Sequence, residues 1–333
     1  MAGPCVESHS RTGAASARSG STRGLDQGGQ PSPDLAIRRK VAGVNIRSDV
    51  PASDPAGAPE LTFWGVRGSR PVPGPDMLLY GGNTACIEVR LPQGRYVVDA
   101  GTGIVNLGRR THWPDDEPIH LLLTHLHHDH VTGLPFFGPV QHKGREIHVW
   151  CGNLGGASAE AALLALLAPP LFPLTLEQMP ARFIFHGFHA GETLSIGRDR
   201  IRTVALDHPS GATGYRFDTS AGSAAIITDI EHRSGVHDPA VVALCEGVST
   251  LVYDMMFDEA EYGTRRGWGH STAEAAVRLA DAAGARQLVG FHHSPSHTDA
   301  IMHGREARLV ASRPGSRMAR EGMSLLCANQ HDG

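Results

Sequence analysis

The chain reads THLHHDH at residues 124–130, directly after the apolar run 119–123. Four positions of this stretch have the spacing His-x-His-x-Asp-His. Imidazole nitrogens and carboxylate oxygens are the groups that bind zinc and similar divalent ions. The apolar run has the length of a buried strand, so the motif predicts metal ligands held where a rigid strand ends.

Chance does not account for this motif. Four fixed positions at about one in twenty each give ~0.002 accidental matches in a chain of this length. A histidine-rich surface loop is the alternative, and the strand before the motif and Gly133 after it argue against that reading. His128 fills a variable position, so we expect it to be a neighbour of the metal and not a ligand.

Composition bounds the class of protein. The chain has 333 residues, of which 41% are hydrophobic and 19% are charged. These values are typical of one large globular domain or two small ones. The net charge is -4, and no run of lysine and arginine is long enough for a nucleic-acid groove. We therefore do not expect nucleic acid as a partner.

Cysteine usage and the apolar stretches predict the compartment. The five cysteines are scattered and never form Cys-x-x-Cys. This favours a reducing compartment over a disulfide framework. No apolar stretch forms a signal core or reaches the length of a transmembrane helix. We expect a cytoplasmic protein with no membrane partner.

The chain divides into a tail and a folded domain. Residues 1–58 are rich in Gly, Ser, Pro, Ala and Arg and nearly free of aromatics, which predicts a disordered N-terminal tail. Residues 59–333 form the predicted domain, in which the apolar and Pro-rich segment 153–190 is interpreted as a lid insertion over a small substrate. The pattern alone favours two sheets between helical layers.

Local patterns place the elements of this domain. Apolar and alternating runs predict strands at 61–64, 85–91, 96–99, 119–123, 147–150, 201–206, 224–228, 250–253 and 288–291. Helical patterns fall at 157–168, 238–246 and 272–283. Ser271 and Glu274 form a capping box, with Ser271 as the predicted N-cap of the last of these helices.

Further ligands are expected at other strand ends. An ion bound by His-x-His needs at least one more protein ligand, and a second ion bound by the Asp-His pair needs another. Three residues directly follow apolar strands: His208, Asp229 and His292. His293 is adjacent to His292 and is left open as an alternative.

The ordered ligand set resembles that of the metallo-β-lactamase superfamily. The resemblance runs from about residue 61 to 326 and extends to the stretches YGGNT at 80–84 and DAGTG at 99–103. It implies an α+β fold, a four-layer αββα sandwich whose ligands gather at one edge of the two sheets. Cys151 and Cys245 do not match the cysteine that two-zinc β-lactamases use, which disfavours antibiotic hydrolysis.

The resemblance also implies how the ligands are divided. The first metal ion would be held by His125, His127 and His208. The second would be held by Asp129, His130 and His292. Asp229 would bridge both ions, and Asp99 would orient the metal loop. Mixed His and Asp ligation makes zinc the first expectation, with manganese, iron or cobalt as alternatives.

A histidine outside the ligand set narrows the subgroup. The stretch GHST at 269–272 is similar to the auxiliary-histidine motif of the tRNase Z-like and cyclic phosphodiesterase branch. The long basic arm with which tRNase Z clamps tRNA is not evident. We therefore interpret His270 as a phosphate binder or as the general acid that protonates the leaving alkoxide. The alternative is a surface residue just before the helix.

The expected function is that of a dinuclear metal-dependent hydrolase, a phosphodiesterase on a small or cyclic phosphate ester. A hydroxide bridging the two ions would attack the phosphorus, and Asp129 would accept the proton of the nucleophile. Trp268 is expected to form part of the wall of the substrate pocket. Asp254 is at the end of a predicted strand and is expected to lie near that pocket. Oligomeric state is open, with a homodimer as one possibility.

Two other functions compete with this one. A lactone or thioester hydrolase of the same fold would need an oxyanion stabiliser, for which Tyr215 and Tyr262 are available. A non-catalytic metal-binding sensor would lack a ligand, and no ligand of the set is missing from the sequence.

Overall fold

The computed structural model describes residues 57–114, 116–152, 156, 158–232 and 237–329. Apart from its last two residues, the predicted tail 1–58 lies outside the described residues. Within the described part, the strands form two sheets of seven strands each.

The first sheet carries the opening motif at one edge. Its strands are β1 (Glu60–Gly65), β2 (Cys86–Arg90), β3 (Arg95–Val98), β4 (Ile119–Leu123), β5 (Glu146–Gly152), β6 (Arg182–Phe188) and β14 (Ser324–Leu326). They lie in the order β14-β1-β2-β3-β4-β5-β6, and β3 to β6 are parallel to one another.

The second sheet supplies the other strand ends. Its strands are β7 (Thr193–Ile196), β8 (Asp199–Leu206), β9 (Ala212–Thr219), β10 (Gly222–Ile227), β11 (Thr250–Asp254), β12 (Gln287–Phe291) and β13 (Arg317–Met318). They lie in the order β13-β12-β11-β10-β9-β8-β7, and β10 to β13 are parallel.

Helices cover the outer faces of both sheets. The α-helices are α1 (Gly103–Arg110), α2 (His128–Val131), α3 (Ala159–Leu166), α4 (Pro239–Cys245), α5 (Glu259–Tyr262), α6 (Ala273–Ala282) and α7 (Asp299–Ser312). Short 3-10 helices occupy Pro75–Met77, Leu134–Phe136, Gly138–Gln141 and Leu176–Gln178. No helix in the described part of the chain is both long enough and apolar enough to span a bilayer.

Side-chain alternation builds three layers of core. Between the sheets, Phe63 and Val89 of the first sheet pack with Phe217 and Val252 of the second. Helices α1 and α3 pack on the outer face of the first sheet, and α4, α6 and α7 pack on that of the second. Because strand side chains alternate between faces, both faces of each sheet bury apolar residues. The result is the predicted αββα sandwich.

Parallel pairing gathers strand ends at one edge. Strands β3, β4 and β5 run parallel, as do β10, β11 and β12, so the carboxyl ends in each set share an edge. In open parallel sheets this is where ligands bind. The motif at 124–130 follows β4 at that edge.

The predicted strands and helices are present, with boundary shifts of one or two residues. The helix at 103–110 and the strands at 182–188, 193–196 and 212–219 were not predicted. Helix α1 contains Gly103 and Gly108, which weaken a helical pattern, and β6 and β7 are strands at the sheet edges.

Two local predictions need correction. Arg182–Phe188 pairs with β5 along its whole length, so this part of the predicted lid 153–190 is a strand of the sandwich. The N-cap of α6 is Thr272 and not Ser271, because the Thr272 hydroxyl accepts the Ala275 N–H at 3.1 Å. The Ser271 hydroxyl instead lies 2.9 Å from His232 Nδ1.

Candidate metal centre

The predicted ligands come together at the strand ends. His125 and His127 follow β4, and helix α2 carries Asp129 and His130. The other three follow strands of the second sheet: His208 after β8, Asp229 after β10 and His292 after β12. Each side chain is therefore fixed by a strand whose backbone is hydrogen-bonded on both sides.

One group of ligand atoms belongs to three histidines. Nitrogens of His125, His127 and His208 all lie within 4.8 Å of one another. His127 Nδ1 is 3.1 Å from His208 Nε2. The Nε2 atom of His125 is buried and has no hydrogen-bond partner. A buried polar atom without a partner is costly, so this nitrogen is explained best by an ion that it binds.

A second group combines Asp129, His130 and His292. Asp129 Oδ2 lies 3.3 Å from His130 Nε2 and 3.2 Å from His292 Nε2. The two Nε2 atoms are themselves 3.2 Å apart. Three ligand atoms thus face one point from two different sheets.

Asp229 lies between the two groups. Its Oδ2 is 3.3 Å from His130 Nε2, and its Oδ1 is 3.2 Å from His292 Nε2. On the other side, Oδ1 lies 3.9 Å from Nε2 of both His125 and His208. One carboxylate therefore reaches atoms of both groups.

These distances fit metal coordination. A tetrahedral zinc site with bonds of 2.0–2.1 Å has ligand–ligand edges of about 3.3 Å. The separations in the second group, 3.2 to 3.3 Å, match that edge. The donor set, imidazole nitrogens with carboxylates, is also the one that zinc, manganese, iron and cobalt use.

The first group is held in the form that binds metal. Burial lowers the pKa of His125 well below its usual value, and the charge of His130 adds to the effect. Burial also lowers the pKa of His127 and of His208. Metal ligation needs neutral imidazole, so these histidines require no proton to be displaced at neutral pH.

In the second group, the carboxylates and the histidines shift each other's pKa values. Burial favours neutral His130, but Asp229, Asp129 and Asp99 outweigh it and raise the pKa of His130 well above its usual value. Burial likewise opposes ionisation of Asp129, yet His130 and His292 hold its pKa below the ordinary range. In the metal-free protein a proton on His130 balances these aspartates, and a cation bound there would replace it.

Buried contacts orient the second group. Asp99 Oδ2 lies 2.8 Å from His130 Nδ1, which leaves His130 Nε2 facing the cluster. Asp99 also accepts the Thr124 N–H and hydroxyl. This agrees with the predicted role of Asp99 in orienting the metal loop.

Backbone strain concentrates at this edge. Asp99, Asp229 and His292 have φ of 64°, 59° and 57°, in the left-handed region that non-glycine residues rarely adopt. Asp99 and His292 directly follow β3 and β12, and Asp229 lies two residues after β10. Such strain costs roughly 1–3 kcal/mol per residue and is typical of functional sites.

His270 lies beside both ligand groups. Its ring stacks on His292 with centroids 5.0 Å apart and is tilted against His208 at 5.3 Å. Asp254 Oδ2 accepts the His270 Nδ1–H at 2.9 Å. Burial alone would lower the pKa of His270, but Asp254 reverses this and raises it. His270 is therefore held in one orientation beside the candidate metal centre, with its pKa raised.

Sequence reasoning missed the loop before β2. The Ser69 N–H donates to Asp129 Oδ2 at 2.6 Å. Gly68 packs so closely on His292 that a Cβ there would overlap the imidazole ring. The positive φ of Ser69, 61°, cannot be read from the sequence, so no signal marked this loop in advance.

The site opens into a cavity of about 480 Å³. Its walls are formed by Ser69, Leu126, His127, His128, Asp129, Asp229 and His270. His128 is exposed there and belongs to none of the ligand groups.

Other sequence candidates lie elsewhere. His293 is fully buried and its Nε2 donates to Ala319 O, so His292 is the histidine of this pair that faces the cluster. The Tyr215 hydroxyl donates to Leu123 O, and that of Tyr262 donates to Glu231.

Comparisons with known proteins agree with this fold. A family model described as "Beta-lactamase superfamily domain" matches residues 94–293. The chain is similar to a protein named ribonuclease Z from Bacteroides fragilis, with 24% identity over 289 residues that cover 71% of this chain and 91% of that protein. Among solved structures it is similar to a diphosphatase from the PhnP family, with a TM-score of 0.57, 19% identity and coverage of 81% of this chain and 100% of that chain. Human tRNase Z, short form, gives a TM-score of 0.57, 18% identity and coverage of 81% and 100%.

Proposed function

Because the chain belongs to the β-lactamase superfamily, in its tRNase Z-like branch of metal-dependent hydrolases, we propose that it hydrolyses phosphodiesters. The family resemblance drawn from the ligand motif is confirmed by the match over residues 94–293. We propose as metal ligands His125, His127, Asp129, His130, His208, Asp229 and His292.

The observation that carries the proposal is the placement of His270. It lines the cavity next to the proposed ligands, and Asp254 occupies its Nδ1. Nε2 is then the nitrogen that remains for a substrate. Phosphodiester hydrolysis breaks a P–O bond to an alkoxide, which is a poor leaving group unless it receives a proton. Hydrolysis of a lactone or thioester depends instead on a group that stabilises the negatively charged oxygen of the tetrahedral intermediate.

The residues of the chain divide the work of this reaction. Divalent cations at the proposed ligands would supply Lewis-acid chemistry, lowering the pKa of water and neutralising phosphate oxygens. Asp129, fixed by the Ser69 N–H, is placed to accept the proton of the attacking water. His270 Nε2–H donates to the leaving oxygen, and Asp254 stabilises the imidazolium before transfer. We propose zinc as the first metal to test, with manganese, iron and cobalt beside it.

The tyrosines give no support to the lactone alternative. Tyr215 is fully buried and its hydroxyl is used by Leu123 O at 2.6 Å. The Tyr262 hydroxyl is used by Glu231 and by the carbonyl of His232. Neither hydroxyl lines the cavity, so the predicted oxyanion stabiliser is not available from these residues.

The names of the similar proteins concern the predicted absence of a nucleic-acid partner. Their name, ribonuclease Z, does not support the prediction that nucleic acid is not a partner of this chain. RNA therefore belongs among the substrates to be tested, beside small and cyclic phosphate esters.

The test is hydrolysis of bis(4-nitrophenyl) phosphate by purified protein loaded with Zn²⁺, Mn²⁺, Fe²⁺ or Co²⁺. We expect metal-dependent release of nitrophenol. Asp129→Ala should abolish it, and His270→Ala should lower hydrolysis of RNA and of cyclic esters, whose leaving group is an alkoxide, by roughly 10²- to 10⁴-fold. His189→Ala, at an exposed loop histidine, is the matched control and should leave the rate unchanged. Absence of turnover with all four ions, on this ester and on RNA, would refute the proposal.

A further inference from the structure

Trp268 is the exposed tryptophan of the chain. It is 59% exposed, whereas Trp64 and Trp113 are buried and Trp150 is half-buried. A large aromatic side chain that stays in water does not gain the free energy that burial of its ring would contribute to folding. Its exposure two residues before His270 calls for an explanation that packing does not give.

The loop that carries Trp268 is held on both sides. Glu231 accepts the Gly267 N–H at 2.7 Å with one carboxylate oxygen and the Gly269 N–H at 2.8 Å with the other. The Trp268 N–H itself donates to Arg265 O at 3.2 Å. The indole is therefore presented to solvent from a backbone that is fixed by one carboxylate.

Contacts tie this loop to the candidate metal centre. His208 Nδ1–H donates to Gly269 O at 2.7 Å. Gly269 has φ of 82°, and a Cβ there would overlap the His208 ring, so only glycine allows this approach. Phe257 joins the two sides: its ring centroid is 6.5 Å from that of Trp268 and 5.9 Å from that of His270. Trp268 thus lies on the His270 side of the site, linked to it through Phe257, and it is outside the residues that line the cavity itself.

Two arginines and one carboxylate lie around the loop of Trp268. The Arg265 guanidinium lies over the Phe257 ring at 5.1 Å and Arg266 lies over the Tyr262 ring at 5.7 Å, while Glu231 accepts the N–H groups on either side of Trp268. An exposed indole in a loop that also carries guanidinium groups can stack on the bases of nucleic acids and nucleotides.

We propose that Trp268 is a stacking subsite for a planar ring, that of a nucleobase, on the leaving-group side of the substrate. This rests on the proposed function, because His270 defines which side of the phosphorus carries the leaving group. In the reaction, an O–P bond to water forms, the P–O bond to the leaving alkoxide breaks, and His270 gives that oxygen its proton. The group that bears the leaving oxygen stays next to His270, and so next to Trp268.

The experiment compares two cyclic esters that differ only in the base. Adenosine 2′,3′-cyclic phosphate carries adenine, and methyl riboside 2′,3′-cyclic phosphate carries a methoxy group in its place. In the wild-type protein we expect kcat/KM to favour the adenosine ester by about 10-fold, the size of one base–aromatic stack. Trp268→Ala should remove that preference by slowing the adenosine ester alone, and Trp268→Phe should keep most of it. Val310→Ala truncates an exposed apolar side chain on α7 and should change neither rate. An unchanged preference in Trp268→Ala overturns the proposal.

A second measurement keeps the subsite separate from the reaction. Adenosine 5′-monophosphate should quench the emission of the exposed Trp268 saturably, and inorganic phosphate should not. The quenching should vanish in Trp268→Phe. If the wild-type protein hydrolyses neither these esters nor bis(4-nitrophenyl) phosphate nor RNA but shows this quenching, the proposed function fails and the subsite stands. If no saturable quenching is seen, the subsite fails whatever the rates.

Discussion

Strand β4 has a cluster of histidines at each end, and the two clusters differ in chemistry. After its last residue lie His125 and the rest of the candidate metal centre. Near its first residue, on the face between the sheets, the His120 ring lies against those of His148 and Trp150 on β5. His186 on β6 stacks on Trp150 and lies beside His148. We call these three histidines and Trp150 the strand-start cluster. In it, His148 Nδ1 is 2.9 Å from His186 Nε2, and the Trp150 N–H donates to His120 Nδ1 at 3.3 Å.

Carboxylates make the difference between the two clusters. The candidate metal centre contains Asp99, Asp129, Asp229 and Asp254, all buried. The strand-start cluster has only Glu146 at its edge, and that carboxylate pairs with Arg182. Trp150 stacks on His186 with ring centroids 3.9 Å apart. Among the described residues, no three ligand atoms of the strand-start cluster converge within 4.8 Å. The strand-start cluster therefore has imidazoles without the convergence of nitrogens and carboxylates that the candidate metal centre has.

The largest effect should follow the loss of the shared carboxylate. Asp229→Asn removes the charge that faces both ligand groups, at 3.2 to 3.9 Å from their nitrogens. We expect the metal content of the purified protein to fall and hydrolysis to drop by about 10³-fold or more, because several kcal/mol of Lewis-acid stabilisation are lost. Plasma mass spectrometry measures the metal content, and the nitrophenol assay measures the rate of hydrolysis. His186→Ala in the strand-start cluster is the matched control, and metal lost equally from both variants would contradict the contrast.

The same contrast shows what the sequence could and could not predict. The motif at 124–130 predicted its strand and its ligands because covalent spacing alone sets them. The convergence of His208, Asp229 and His292 on this motif was also predicted, since each lies just after an apolar run; their role as ligands stays a prediction. Ser69 and Glu231 were not foreseen, because their roles come from backbone N–H groups and loop geometry that side-chain identity does not encode. The strand-start cluster was missed because strand β6 was read as part of a lid, so that the pairing of His186 with Trp150 was hidden.

The next effect concerns His270 and leaves the metal in place. His270 belongs to neither proposed ligand group, so His270→Gln should keep the wild-type metal content. The rate on ribose 2′,3′-cyclic phosphates, whose leaving group is an alkoxide, should fall by roughly 10²-fold, as expected for loss of a general acid. The fall should be smaller for esters with more acidic leaving groups, because these need the proton less. Equal losses across a series of leaving groups would contradict proton donation, and loss of metal would make His270 a ligand.

A smaller effect is expected at the residue that positions His270. Asp254 accepts the His270 Nδ1–H, and it accepts the Met256 N–H as well. Asp254→Asn keeps the shape but removes the charge that raises the pKa of His270. We expect kcat to fall by about 10-fold, which is typical for loss of a residue that hydrogen-bonds a catalytic or ligand side chain. The alkaline limb of the pH–rate profile should also move to lower pH. An unchanged profile with a lower rate would mean that Asp254 acts through folding alone.

The smallest effect tests the strand-start cluster through acid stability. Burial, together with His148 and His186, lowers the pKa of His120 to about 4. The Tyr96 ring packs against His120 with centroids 5.9 Å apart, and the Tyr96 hydroxyl donates to Asp199. Between pH 4 and the unfolded value near 6.5, the unfolded chain binds a proton that the folded one excludes, so stability falls as pH falls through this window. His120→Gln removes that proton, and the loss of unfolding free energy between pH 8 and pH 5, measured in urea, should be smaller than in the wild-type protein. His189→Gln, at an exposed site, should show the full loss; an equal loss in both variants would mean that His120 is not held neutral by its surroundings.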